Sequence, residues 1–213
     1  MTQTRPPHPP RRSSGRPKGA DSAARREEIL ATAARVFSEE GYRGTPMSAI
    51  ARASGLSQTG LLHYFPTKED LLEAVMERRD ELDSALALAP TGERPRGWAF
   101  MESIVRLVRV NQGQPGIVRL YTTVSGEAVD PAHPANAWLV EHHTKAREMF
   151  RVVFREAAED GALRPDAPVE SLIRCLVAGM DGLQIQWLSD DSYEDMAGDF
   201  EVLVEALTAR WKA

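Results

Sequence analysis

Between Gly55 and His63 the chain reads GLSQTGLLH, and the side chains there that can do chemistry are short or uncharged hydrogen-bonding groups: Ser57, Gln58, Thr59 and His63. Such groups suit non-covalent recognition. A Gln amide pairs with the edge of an adenine, while hydroxyls and free backbone N–H groups suit phosphates. The glycine and serine spacing superficially resembles a nucleophile elbow, but it runs G-x-S-x-x-G, lies between helices and lacks an evident Asp/His pair. No Gly-rich phosphate loop occurs. His142 and His143 are adjacent and diverge by about 100° on a helix, so they do not form a metal pair at i, i+4. Cys175 is the only cysteine; it makes no internal disulfide and no Cys-based metal site, and on an apolar helix it is expected to be an inert core thiol. Neither catalysis nor a cofactor nor a metal is expected.

These groups need a frame that holds them outward. In SAARREEILATAARVFSEEGY, Ile29, Ala33, Val36 and Phe37 fall on one face of a first helix, which Gly41 ends. Thr45 is expected to cap a second helix, with Pro46 at its first position. Gly55 breaks that helix, Ser57 caps a third, and Pro66 closes it. Thr67 opens a fourth, with Asp70 as its capping-box partner. Ala51, small where two helices cross, and Gly55 four residues later have helix-turn-helix spacing. Ile50, Leu56, Leu61 and Tyr64 supply the apolar contacts that fix the interhelical angle. A plain helical hairpin with a glycine turn shares that spacing.

The flanking residues extend the pattern. From Arg26 to Val75 the sequence runs through a helix ending in Phe, then EGY, a Thr before the second helix, IA..SG.S, an aromatic YF and P.KEDLL. This stretch resembles the TetR family of bacterial transcriptional regulators. The resemblance implies a homodimer with N-terminal helix-turn-helix domains and a helical body that binds a small effector. It assigns phosphate contact to Thr45 and Lys68. It places Ser57, Gln58, Thr59 and Gly60 at the start of the recognition helix. His63 and Tyr64 complete the candidate DNA-contacting set. Leu62 stands where the family often has a phosphate-contacting aromatic, and His63 is the residue placed to take over part of that contact.

Charge is divided along the chain. Residues 1–68 hold 11 Lys and Arg against 5 Asp and Glu, and the remainder holds 15 against 26, for a net charge of −5. A basic front on an acidic body fits a nucleic-acid binder with a second domain. The first 21 residues, rich in Pro, Arg, Ser and Gly, read as a flexible basic arm. Its SGRPKGA segment is similar to the core of minor-groove AT-hooks, with Arg16 and Lys18 as the inserted cations. A solvated tail explains the composition equally well. The expected organisation is therefore an arm over 1–21, a helix-turn-helix domain over 22–67 and an effector-binding and dimerisation domain over 68–213.

The body also reads as helical, with helices near 96–112, 115–128, 134–160, 168–189 and 193–211, so the fold class is all-α. The helix VESLIRCLVAGMDGLQIQWL is apolar nearly all round and must be covered on both sides. Leu172, Leu176, Gly179 and Leu183 on it, with Phe200, Leu203 and Leu207 on the last helix, are assigned to a four-helix dimer interface. The effector cavity is assigned to Trp98, Met101, Ile104, Val105, Tyr121, Trp138, His142, Met180, Gln184 and Trp187, an apolar set with a few polar groups. Aromatic faces there would accept a cationic ligand. No apolar run reaches the roughly 20 residues a bilayer needs, the N-terminal segment does not read as a secretory signal, and the single cysteine argues for a reducing, cytoplasmic setting. The expected partners are double-stranded DNA, a second copy of the chain and a small effector. The reading is a DNA-binding regulator, most simply a repressor on a palindromic operator. The rivals are an activator without effector, and a helical carrier or enzyme whose helix-turn-helix is incidental.

Overall fold

A computed structural model describes residues 18–87 and 92–213, with side chains in the first segment from residue 22. Arg16 lies outside the described residues, as does the side chain of Lys18, whose backbone already belongs to the first helix. Among the described residues nine α-helices follow in order: α1 Lys18–Glu40, α2 Met47–Ala53, α3 Gln58–Tyr64, α4 Lys68–Leu86, α5 Phe100–Gln112, α6 Pro115–Glu127, α7 Asn136–Glu159, α8 Val169–Ser189 and α9 Met196–Trp211. A 3-10 turn, Gly97–Ala99, leads into α5. Among the described residues the only β pairing is an isolated bridge between Leu163 and Lys212. The fold is all-α.

Local chemistry sets the helix ends near the candidate site. α2 closes with Leu56 N–H bonded to Ala51 O (2.8 Å) and Gly55 N–H bonded to Arg52 O (3.1 Å). This is the Schellman pair, and it needs Gly55 in the left-handed region, where φ is +65°. Ser57 Oγ accepts the Gly60 N–H at 3.0 Å and so caps α3. Thr67 and Asp70 form the full capping box of α4, each side chain accepting the other's backbone N–H at 3.0 Å. One expected cap is corrected. Thr45 does not cap α2: Pro46 occupies the N-cap, and the Thr45 Oγ1 donates back to Gly41 O at 2.7 Å.

Two apolar cores hold the helices. The first joins Ile29, Leu30, Val36 and Phe37 of α1 to Ile50, Leu61, Phe65, Leu71, Leu72 and Met76, and runs on into Leu120, Val124 and Trp138 of α6 and α7. The front helices are thus welded to part of the body. The second joins α5, α7, α8 and α9 around Phe100, Phe150, Phe154, Ile173 and Phe200. Each fully buried aromatic or aliphatic side chain contributes roughly 1.5–3 kcal/mol through loss of water contact.

The dimer assignment requires correction. Leu172, Leu176 and Phe200 are buried in the chain's own second core, so they present no surface to a partner. A Cβ at Gly179 would stand 2.5 Å from Leu203 Cδ2, so that glycine serves the close approach of α8 to α9 within one chain. Leu183, Leu203 and Leu207 are half-buried against the same core. Cys175, expected inside, is exposed. The outward stripe is Cys175, Ala178, Gly182 and Ile185 on α8 and Val202, Ala206 and Ala209 on α9, with Ile185 55% and Val202 62% exposed.

Candidate nucleic-acid interface and ligand cavity

The α2–α3 unit holds α3 by its inward face. Leu61 and Ile50 are completely buried, and Ala51 lies where the helices cross. The opposite side of α3 is free: Ser57, Gln58, Thr59, Leu62 and His63 are exposed, and Gly60 and Tyr64 are partly so. Gln58 is the first residue of this seven-residue helix, so its amide stands at the tip, beside backbone N–H groups that end the helix with partial positive charge. Arg25 Nη2 donates to Ser54 O at 2.6 Å and ties the turn to α1.

Lys68 opens α4. Its Nζ donates to Arg43 O at 3.2 Å and sits 4.4 Å from the centre of the Tyr42 ring. Burial lowers its pKa, an effect partly opposed by Glu69. The ammonium is therefore fixed rather than freely swinging, beside the loop that enters α2. Burial, with Glu69 close by, pushes the Tyr42 hydroxyl up to about 12, so the ring stays neutral beneath the ammonium. Thr45, by contrast, is 0% exposed. Its hydroxyl is spent on Gly41, and a phosphate contact through that side chain is not available in this conformation.

Between the two cores lies a cavity of about 380 Å³. Five of the expected lining residues are there: Ile104, Tyr121, His142, Met180 and Gln184. The other five are not. Trp98 packs edge-on against Phe154 and donates its Nε1–H to Ala162 O (2.8 Å). Met101 and Val105 are plain core, and Trp187 packs on the second core. Trp138 stands behind the wall, its Nε1–H donating to Asp80 at 3.1 Å. Aromatic size and helical spacing do not distinguish a cavity wall from a packed interior.

Sequence reasoning missed the charged lining contributed by α4: Arg79, Asp80 and Asp83. A signal existed. Leu72, Val75, Met76 and Arg79 share one helical stripe, and a cation at the next turn of a buried stripe points inward. Arg79 is 7% exposed; it lies 4.1 Å from the Tyr121 ring centre and pairs with Asp83 (3.3 Å). Asp80 accepts from Trp138 and faces His142 Nδ1 at 2.9 Å. The Tyr121 hydroxyl donates to Asp181 at 3.0 Å and stands 3.1 Å from His142 Nε2, and Asp181 also faces His143 Nε2 at 3.2 Å. The two histidines thus serve different aspartates. Burial holds the Asp83 carboxyl above the ordinary aspartate value, with Asp80 adding to the effect and Arg79, His142 and Asn111 opposing it. Burial likewise pushes the Tyr121 hydroxyl well up, with Asp181 contributing.

Comparison with known proteins fits this geometry. The sequence profile of the family described as "Bacterial regulatory proteins, tetR family" matches residues 29–75. The chain is 30% identical over 176 residues to the HTH-type transcriptional regulator UidR of Escherichia coli (strain K12), spanning 81% of this chain and 84% of UidR. It is 29% identical over 174 residues to the HTH-type transcriptional repressor KstR2 of Rhodococcus jostii (strain RHA1), spanning 72% and 75%. In fold it is similar to a TetR transcription regulator from Haloarcula marismortui (TM-score 0.77, 20% identity, 90% of this chain and 100% of the other). It is also similar to a transcriptional regulator from Saccharomonospora viridis solved in complex with choline (TM-score 0.73, 22% identity, 90% and 99%). Among the described residues no helix is long and apolar enough to cross a membrane. A helix-turn-helix unit with an outward-facing α3, joined to an all-helical body and matched along most of the chain by such relatives, makes this chain a member of the TetR family of bacterial regulatory proteins and a DNA-binding transcriptional regulator.

Proposed function

We propose that this regulator is a repressor that acts as a homodimer on a palindromic operator and leaves it when a small effector occupies the cavity between its two cores. The observation that carries the reading is the path of α4. Its first residue, Lys68, stands beside the candidate phosphate-contacting loop, and its Arg79, Asp80 and Asp83 line the cavity. Eleven residues of helix separate Lys68 from Arg79, about 16 Å at the usual rise. A rigid helix with one end at each site carries a displacement from one to the other. α6 supplies a second link: Tyr121 lines the cavity, and Gly116 lies against Ser38 of α1, where an added Cβ would stand 3.0 Å from the Ser38 Cβ.

In the DNA-bound dimer, Lys68 and the N–H groups at the start of α3 position each head on phosphates, and Gln58 reads a base edge, with Ser57, Thr59, Gly60, His63 and Tyr64 around it. Two-fold symmetry makes the site an inverted repeat. The outward stripe of α8 and α9 forms the seam between protomers. Beyond its own helix backbone and chain neighbours, no described atom lies within 4 Å of where a Cβ on Gly182 would stand, and Ala178, Ala206 and Ala209 are similarly small, so partner helices can approach closely. The effector acts by favouring a conformation whose heads no longer match successive grooves. Regulator and effector act in the cytoplasm.

Footprinting of the purified protein on its own promoter region across a salt series tests the reading. A protected inverted repeat whose occupancy falls steeply with salt supports it. Absence of protection at low salt overturns it.

A further inference from the structure

The cavity contains polar groups that the described residues leave without partners. Arg79 is 7% and Gln184 3% exposed. Arg79 spends Nη2 on Asp83, but its Nε and Nη1, and the Oε1 of Gln184, hydrogen-bond to no described residue. Buried groups of this kind are costly to leave unmet. Both side chains line the same cavity, whose remaining wall is largely apolar, with Phe100, Ile104, Leu107 and Met180 among its members.

The charges around them narrow what can enter. Asp80, Asp83 and Asp181 line the cavity beside the cations Arg79, Arg94 and Lys145; Arg94 is paired with Glu156 and Lys145 with Glu141, so an anion reaching Arg79 meets three carboxylates and competes with Asp83 for the guanidinium. A cation fares no better. The aspartates are already engaged by Trp138, His142, Tyr121, His143 and Arg79. Of the aromatic rings in the lining, Tyr121 already carries the Arg79 guanidinium at 4.1 Å and Phe100 the Arg94 guanidinium at 5.4 Å. An uncharged group avoids both penalties and satisfies both orphans.

We infer that the effector, on the reading proposed above, is an uncharged and mainly apolar molecule whose one polar end presents a carbonyl oxygen to Arg79 and an N–H or O–H to Gln184. Its apolar body lies along the α5 wall. The class differs from the choline of the Saccharomonospora viridis complex.

Three ten-carbon probes of matched length test this on the full-length dimer: decanamide, decanoate and decyltrimethylammonium. Binding is read by calorimetry, and release of the protein from its footprinted operator is read alongside. Decanamide is expected to bind tighter than either charged probe by about tenfold or more. Gln184→Leu and Arg79→Met are each expected to erase that preference. Because Arg79 is buried and its variant can fail to fold, Gln184→Leu, with a melting curve matching wild type, decides the point. Equal or tighter binding of a charged probe, no binding of decanamide at millimolar concentration, or an unchanged preference in Gln184→Leu overturns the inference. A charged probe that binds and releases DNA overturns the uncharged class alone. Decanamide that binds with the expected preference yet leaves DNA bound contradicts the effector reading while the ligand class stands.

Discussion

Lys68→Met isolates the electrostatic role of the residue that opens α4. Methionine keeps most of the stem and removes the charge. Within the chain, the loss is one hydrogen bond to Arg43 O and the ammonium above the Tyr42 ring; at a half-exposed site such a cation–π contact contributes about 0.5–1 kcal/mol. The folded domain should therefore melt only slightly lower. On DNA the effect is larger. Each phosphate contact contributes about 0.9 to the slope of log affinity against log salt, so removing one from each protomer lowers the slope by about 1.8 for the dimer. At about 0.1 M salt the loss is about eightfold per contact and about sixtyfold for the pair. Fluorescence anisotropy with a labelled operator duplex, titrated over a salt series, measures both quantities, and the affinity for unrelated duplexes should fall in parallel. An affinity that drops while the slope stays at its wild-type value refutes the phosphate role: Lys68 would then act only by bracing Tyr42 and the loop before α2.

Three further outcomes are expected. Ser57→Ala removes the acceptor for the Gly60 N–H and should cost about 1 kcal/mol of stability, with weaker DNA binding at an unchanged salt slope; a melting temperature equal to wild type contradicts the cap's importance. Gly182→Arg places a long charged side chain on the proposed seam and should convert the dimer to monomer in sedimentation velocity; a stable dimer moves the seam elsewhere. Asp83 carries the pH dependence. Burial raises its native pKa above the ordinary value, so the native state takes up this proton more readily than the unfolded chain does. The stability this contributes is complete below the ordinary value and is lost as pH rises through the raised one. Relative to Asp83→Asn, the wild type should therefore lose melting temperature as pH rises above the ordinary aspartate value. A gap that is flat or runs the other way contradicts the buried-carboxyl argument.

The front of the molecule was legible because its determinants are local. Ser57, Thr67, Asp70 and Gly55 act within five residues of themselves, and the caps and the turn they form are those their spacing implies. Thr45 marks where that logic ends. A Thr before a Pro resembles a cap, but Pro46 takes the N-cap, and the tertiary fold turns the Thr45 hydroxyl inward to Gly41. In the body, Pro and Gly punctuation placed the helices to within a few residues. The faces of α8 did not follow, since a helix apolar all round carries no signal for which side faces inward, and Leu172 and Cys175 were exchanged in consequence. The cavity was half legible. Tyr121, His142 and Gln184 came from the right helices, whereas Arg79, Asp80 and Asp83 were hidden because charges on a helix usually face water.

Selection from a pool of random duplexes tests whether the exposed tip of α3 reads DNA. Wild-type protein should enrich an inverted repeat, and Gln58→Ala should enrich the same repeat with its preference relaxed at one symmetric pair of positions, at a cost of about 1–3 kcal/mol there. An identical consensus from both proteins, or no enriched sequence from the wild type, contradicts the claim.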